Sequence, residues 1–196
     1  ALVSDAGTPA ISDPGEDLVR AAIKENIKIV PVPGAVAFIQ GLICSGFDTT
    51  RFCFEGFLSI NKRVRKERLE ELKDETRTMI FYEAPHKLKR TLDDLMKVFG
   101  EDRKIVLARE ITKIYEEHLR MTIKEAIEHY EDKEVKGEFV ILVEGKEKSE
   151  DDNIVEGTIE ELMQKYLDEG MEKKEAMKQV AKDKGITKSE VYKKLL

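Results

Sequence analysis

Asp5-Ala6-Gly7-Thr8-Pro9-Ala10-Ile11-Ser12-Asp13-Pro14-Gly15 is the stretch on which the reading of this chain turns. It follows the apolar Ala1-Leu2-Val3 and precedes a helical pattern running from Glu16 to Glu25, which gives the order strand, Gly/Pro loop, helix. Asp13 is placed to cap that helix, Pro14 suits a first helical position, and Glu16 stands three residues after Asp13 as a capping box requires. In an α/β sheet the loop at the carboxyl end of a strand is where ligands bind. Gly7 lets backbone come close to such a ligand, and Asp5 offers a carboxylate to an ammonium or hydroxyl. A tight turn before a capped helix fits the same spacing.

Outward from this loop the pattern keeps alternating. Ile27 to Val32 reads as a short strand, placed at an edge or ended by Pro31 and Pro33. Ala35 to Cys44 reads as a helix apolar nearly all round, hence fully buried, with Gly46 as its stop. From there strands are expected at 52–58, 78–83, 104–110 and 137–143, with an extended piece at 116–121. Helices are expected at 62–73, at 86–98 and from Thr122, which has Glu125 three residues on. This is an α/β chain with a mostly parallel or mixed sheet. We place a domain boundary near residue 48, a second α/β domain over 49–145, a polar linker over 146–153 and a helical unit over 154–196. In that unit three short helices separated by Gly170 and by Gly185-Ile186-Thr187 have helix-turn-helix spacing. Its Lys/Arg and Asp/Glu number nine each, so a nucleic-acid reader and a packing or dimer-supporting bundle both fit.

At 196 residues, 41% hydrophobic and 38% charged, the chain has the composition of a folded globular protein. Its net charge of −6 argues against general polyanion binding, but residues 51–90 hold 11 Lys/Arg against 7 Asp/Glu, so a nucleic-acid surface belongs there. Cys44 and Cys53 have apolar neighbours and read as buried thiols in a reducing compartment; no His or Cys spacing makes a metal site. The uncharged run from Ile29 to Phe47 is broken by Pro31, Pro33, Gly34 and Gly41, so we expect no membrane span. The first residue is Ala, inside a strand pattern, as expected of a piece of a longer protein. No Ser-His-Asp set, Cys-His set or phosphate-loop lysine motif supports nucleophilic hydrolysis or NTP use.

The Asp5–Gly15 stretch resembles, along its whole length, the signature of the RsmI family, ribose 2′-O-methyltransferases of small-subunit rRNA within the tetrapyrrole methylase superfamily. The resemblance continues through Pro33-Gly34-Ala35-Val36-Ala37, Phe52–Leu58, Phe81-Tyr82-Glu83-Ala84-Pro85-His86, Arg109–Lys113 and Lys136–Phe139. Ala35-Val36 stands where the family has Pro-Ser or Pro-Cys, and Lys87 where it has Arg. The resemblance implies a tetrapyrrole methylase-like two-domain fold, its first domain incomplete here, with S-adenosylmethionine held between the domains. It further implies a homodimer, and the small ribosomal subunit with its 16S rRNA as substrate, methylated at a cytidine ribose. A tetrapyrrole C-methyltransferase shares fold and donor and is the alternative enzyme; a truncated RNA- or partner-binding chain is the non-enzymatic one.

On that resemblance the cofactor is touched by Asp5, Ala6, Gly7, Thr8 and Ile11, by Val36 and Ala37, and by Tyr82, Gly137 and Glu138. Plain core packing would equally place Val36, Ala37 and Tyr82. For the acceptor, Glu110, Lys113 and Glu83 are the candidates to take or relay a proton, and a structural ion-pair set is the other reading of the same residues. His118 and His129 are assigned no role. Lys87 and Arg109, with Lys62, Arg63, Arg65 and Lys66 at the start of the third helix, are the candidates for RNA phosphate. The competing reading of that helix is a solvated face with Arg63–Glu67 and Lys66–Glu70 pairs.

Overall fold

Five short runs of alternating or wholly apolar residues form one sheet in the computed structural model, which describes residues 1–147 and 157–195. They are β1 (Phe52–Phe57), β2 (Thr78–Glu83), β3 (Lys104–Arg109), β4 (Glu117–Thr122) and β5 (Phe139–Val143), in the order β1-β2-β5-β3-β4. β1 and β2 run parallel, whereas β2–β5, β5–β3 and β3–β4 are antiparallel. The sheet is therefore mixed, with antiparallel pairing dominant. The hairpin-like return from β3 to β4 and the insertion of β5 between β2 and β3 account for this.

Period-two alternation sorts the strands onto two faces. Met79, Phe81, Ile105, Leu107, Phe139, Ile141 and Val143 pack with Leu69 of α3 (Lys62–Glu71) and Leu72 at its end, with Leu88, Leu92, Leu95 and Phe99 of α4 (Leu88–Phe99), and with Ile123, Ala126 and Tyr130 of α5 (Ile123–Tyr130). The other face, Ile80, Val106, Ala108, Val140 and Leu142, receives Phe38 and Leu42 of α2 (Ala37–Ser45). Gly41 lets α2 sit close: a Cβ there would stand 3.2 Å from a Val140 methyl. At the far end of α2, Arg120 of β4 donates to the carbonyls of Cys44 and Ser45, answering the orphan acceptors of the helix terminus. Thr122 and Glu125 form the expected capping box of α5.

The first segment departs from expectation. Neither 1–3 nor 27–32 is strand, because neither has a ladder partner among the described residues, and Val3, Ile27, Val30 and Val32 are exposed. α1 (Glu16–Lys24) starts after Gly15, with no side-chain cap from Asp13, which lies two residues too early. α2 is buried on one face only: Ile43 and Cys44 are exposed, so Cys44 is not the buried thiol expected. Cys53 is half-buried and donates to the Thr78 carbonyl at 3.7 Å, and burial, reinforced by Glu75 and Glu55, pushes its thiol up to about 11.

Residues 1–146 and 147–196 form two compact units. In the second, α6 (Ile159–Asp168), α7 (Lys173–Asp183) and α8 (Lys188–Lys194) surround Leu162, Met163, Ala176, Val180 and Val191. Capping boxes at Thr158–Glu161 and Thr187–Glu190 start α6 and α8. Inside, the Asp183 carboxylate accepts from the Tyr166 hydroxyl and from Gln179. The expected linker at 146–153 lies mostly outside the described residues. No described helix is long and apolar enough to cross a membrane.

Candidate active site

Parallel pairing puts the carboxyl ends of β1 and β2 at one edge of the sheet, and the antiparallel register brings the end of β3 and the start of β5 to the same edge: Glu83 pairs with Phe139, and Phe139 with Arg109. At that edge lie Tyr82, Glu83 and Arg109 at strand ends, with Lys87, Glu110, Lys113, Gly137 and Glu138 in the adjoining loops, whereas the signature loop, Val36 and Ala37 come from the segment before β1. Tyr82 points to the α2 side of the sheet, edge-on to Phe54 and Phe57 at 5.0 and 5.6 Å. Its oxygen accepts from the Phe38 N–H at 3.2 Å, where α2 begins. No side chain caps this helix, and the amides of Val36 and Ala37 find no acceptor among the described residues. Burial, helped by the nearby Asp13 charge and opposed by the Phe38 amide, holds the Tyr82 phenol above its ordinary range. The phenol is thus a donor at neutral pH, with its O–H free to serve a ligand.

The signature loop is stitched to the same place. Thr8 donates from its amide to the Ala35 carbonyl at 2.9 Å and from its hydroxyl at 3.3 Å. At Gly7, with φ +74°, a Cβ would stand 2.8 Å from that carbonyl oxygen, so a side chain there would push the two loops apart. Gly7 and Thr8 therefore lie against Gly34 and Ala35, the residues that lead into Val36 and Ala37, and Ile11 is exposed. Open helix-start amides, a phenol donor and a glycine that permits close backbone approach suit a ligand carrying a carboxylate and hydroxyls, as S-adenosylmethionine does.

Across the edge, Glu110 (φ +49°) places its Oε1 on the Glu138 amide at 2.9 Å and on Lys113 Nζ at 3.0 Å, while Lys113 also meets Glu138 Oε2 at 3.1 Å. The Glu138 amide and then Lys113 hold Glu110 below the usual carboxylate range, and Glu110 and Glu138 raise Lys113. Lys113 is an ammonium with no lone pair for a proton. Gly137 (φ +86°) touches the same staple: a Cβ there would meet Glu110 Cγ at 2.5 Å. Glu83 is buried on the opposite face, accepting from the Thr91 hydroxyl at 2.6 Å and the Ala84 amide at 2.9 Å, which fixes the turn into α4.

Among the basic candidates, Lys62, Arg63 and Lys66 are exposed at the start of α3, which follows β1 and so opens at the same edge. Arg63 pairs with Glu67 at 2.7 Å, as the solvated-face reading expects; Lys66 has no such partner in Glu70. Arg65 is no phosphate ligand in this fold. It is 3% exposed, pairs with Asp94 at 2.8 Å and donates to the Ser59 and Ile60 carbonyls, because its position in α3 faces α4 rather than solvent. Lys87 is half-buried in the turn after β2, and Arg109 lies 3.5 Å from Glu117. The sequence reading passed over Asp13 as anything but a cap and Asp94 altogether; the i to i+29 pairing of Arg65 with Asp94 leaves no local signal.

A sheet edge with a phenol bonded to an uncapped helix start, and a Gly/Pro signature loop bonded to the residues that lead into that helix, defines a class. The chain belongs to the tetrapyrrole (corrin/porphyrin) methylase family, whose model matches residues 1–127. Within it, the chain is 47% identical over 195 residues to the ribosomal RNA small subunit methyltransferase I of Halalkalibacterium halodurans, covering 98% of this chain and 67% of that protein. The proteins of the same name from Synechocystis and Bacillus subtilis are 41% and 43% identical, each over 98% of this chain and over 69% and 67% of their own lengths. The chain thus spans about two thirds of these relatives. Among solved structures, the methyltransferase CobJ superposes with a TM-score of 0.55 at 20% identity, covering 71% of this chain and 62% of that one. A uroporphyrin-III C-methyltransferase from Thermus thermophilus, complexed with S-adenyl homocysteine, gives 0.50 at 11%, covering 71% and 63%. These two likenesses are of fold.

Proposed function

We propose that the intact protein transfers a methyl group from S-adenosylmethionine to the ribose 2′-oxygen of a cytidine in 16S rRNA of the small ribosomal subunit. The observation that carries this is the identity of 41–47% over 98% of the chain with proteins named ribosomal RNA small subunit methyltransferase I. In the intact protein we assign residues 1–48 to the first methylase domain and 49–145 to the second, with the cofactor between them. A homodimer in the cytoplasm completes the reading.

The cofactor supplies a methyl group made electrophilic by its sulfonium. The chain has to hold that group in line with the acceptor and manage the acceptor proton. We assign the Asp5–Thr8 loop, Ile11 and the Val36 and Ala37 amides to binding, the Tyr82 O–H to a donor role, and the Gly137-Glu138 turn to the far wall. Of Glu83, Glu110 and Lys113, only Glu110 combines a place at the edge with a carboxylate oxygen, Oε2, that no described residue holds. Glu110 is therefore our choice to receive the hydroxyl proton, with Lys113 fixing its position and Glu83 supporting the turn. Lys62, Arg63, Lys66, Lys87 and Arg109 line the edge on which a phosphate backbone would lie.

The test is transfer of labelled methyl from S-adenosylmethionine to small subunits that lack ribose methylation, using full-length protein and mapping the modified nucleotide. Label at a cytidine 2′-oxygen is the expected result. Cofactor binding without label in rRNA would overturn the substrate assignment in favour of a small-molecule acceptor such as a tetrapyrrole.

A further inference from the structure

The charge balance of the helical unit, zero when summed, is polarised along the chain. Residues 157–172, which include α6, hold one Lys against five Asp/Glu, whereas residues 173–195, which include α7 and α8, hold eight Lys against three. Two of those three acids are committed: Asp183 is buried on Tyr166 and Gln179, and Glu190 closes the capping box of Thr187. Lys174, Lys178 and Lys182 recur every four residues on the exposed side of α7, while Ala176, Met177, Val180 and Ala181 face the core. None of the three forms an ion pair among the described residues. On α8, Val191 is buried, and Ser189, Lys193 and a Tyr192 ring that is 55% exposed face outward.

Like charges at four-residue spacing on a helix repel, so an unpaired row of three costs a little stability in the free protein. A polyanion reverses that sign by exchanging condensed counterions for lysines. An exposed tyrosine beside the lysines adds a face on which an unpaired base stacks. We infer that α7 and α8 form an RNA-docking face, with Lys174, Lys178, Lys182 and Lys193 on the sugar-phosphate backbone and Tyr192 against a base. This face belongs to the helical unit alone. It rests on the proposed rRNA substrate only for the identity of the RNA.

The experiment compares full-length protein with K178E/K182E and with K28E/K73E, which changes net charge equally on exposed lysines of the first unit. Binding to a fragment of small-subunit rRNA is measured by fluorescence anisotropy across a salt series, with S-adenosylmethionine affinity and thermal unfolding as controls. K178E/K182E should weaken RNA binding about tenfold or more and flatten the log–log salt slope by roughly 1.5 to 2. The control pair should do neither, and cofactor affinity should hold in both. A Tyr192→Ala variant should weaken binding about five- to tenfold or more with the slope unchanged. Equal RNA affinities and slopes for wild type and K178E/K182E would overturn the inference, as would selective loss of binding to a ribosomal protein with RNA binding intact. If no enzyme form labels rRNA yet K178E/K182E still loses RNA affinity, the substrate assignment fails and the docking face stands. Should K178E/K182E not fold, K178Q/K182Q is read in its place, with about the same slope change because the same two cations are lost.

Discussion

Two runs of β-branched residues in this chain meet opposite fates. Phe139-Val140-Ile141-Leu142-Val143 lies between β2 and β3, with every side chain buried. Ile27-Lys28-Ile29-Val30-Pro31-Val32 pairs with nothing among the described residues and leaves Ile27, Val30 and Val32 in the open. Strand propensity is a preference for a half-buried pleated surface and needs neighbours to express itself. Pro31 also removes a donor from the Ile27–Val32 run, and Pro33 follows it at once, whereas β5 keeps all of its own donors. The same contrast separates α1, which has no buried residue, from α4, whose apolar stripe is sealed against the sheet.

Core truncation sharpens this contrast most. Leu92→Ala, at a residue with 0% exposure, should cost about 2–5 kcal/mol in urea unfolding. Val32→Ala, at 83% exposure, should stay within about 0.5 kcal/mol. A large loss for Val32→Ala in this chain would show that the first segment is packed in solution and break the comparison.

A second pair repeats the lesson inside one helix. Arg65→Ala strands Asp94 and frees the Ser59 and Ile60 carbonyls, with an expected loss of about 3 kcal/mol or more, because half of a nearly dry ion pair remains. Arg63→Ala, two residues earlier and on the solvent side, should cost under about 0.5 kcal/mol, while weakening rRNA binding if α3 touches phosphate. Equal losses would mean that the buried pair is not formed.

Much of this was legible before any coordinates. Apolar alternation located all five strands of the sheet to within a few residues, and Thr122 with Glu125 announced α5. The Gly/Pro loop, Tyr82 and the Gly137-Glu138 turn were singled out by motif, and the register of β2, β5 and β3 explains how Tyr82 and the turn reach one edge, while the loop is tied by Thr8 to Ala35 outside the sheet. What failed depended on partners distant in sequence. Arg65 reads as one more cation in a basic run until Asp94 arrives 29 residues on. Cys44 reads as buried because α2 is apolar on both sides, although the sheet covers only one of them. The cap at Asp13 was locally well specified, yet the helix starts later, after Gly15.

The site edge permits a narrower break. Gly137→Ala would force a side chain into φ +86° and within 2.5 Å of Glu110 Cγ. The left-handed backbone alone costs about 1–2 kcal/mol. Glu110 must then swing off the Glu138 amide, so binding of S-adenosylmethionine by the intact enzyme should weaken together with stability. Calorimetry that found stability reduced and cofactor affinity unchanged would detach the turn from the proposed pocket.

The smallest effect lies at the opposite edge of the sheet, where β2 enters. Glu75 accepts from the amide, Nε and Nη2 of Arg77, at 2.9, 2.9 and 2.6 Å, and its own carbonyl takes the Lys146 amide at 2.7 Å. The Arg77 side chain, against a burial effect of opposite sign, lowers the Glu75 carboxyl from 4.5 to about 2. A carboxyl depressed on folding binds its proton more tightly in the unfolded chain. Its stabilising share is therefore complete above the unfolded value near 4.5 and drains away as pH falls through about 2. Wild type and Glu75→Gln, unfolded in urea at a series of pH values, should differ most near neutrality and draw together as pH falls from about 4.5 through about 2, below which the carboxyl is protonated in both states. Parallel profiles across that window would mean that Arg77 does not hold Glu75 in solution. The edge away from the site would then be as loosely fastened as the first 36 residues, and the contrast between the two regions would rest on apolar packing alone.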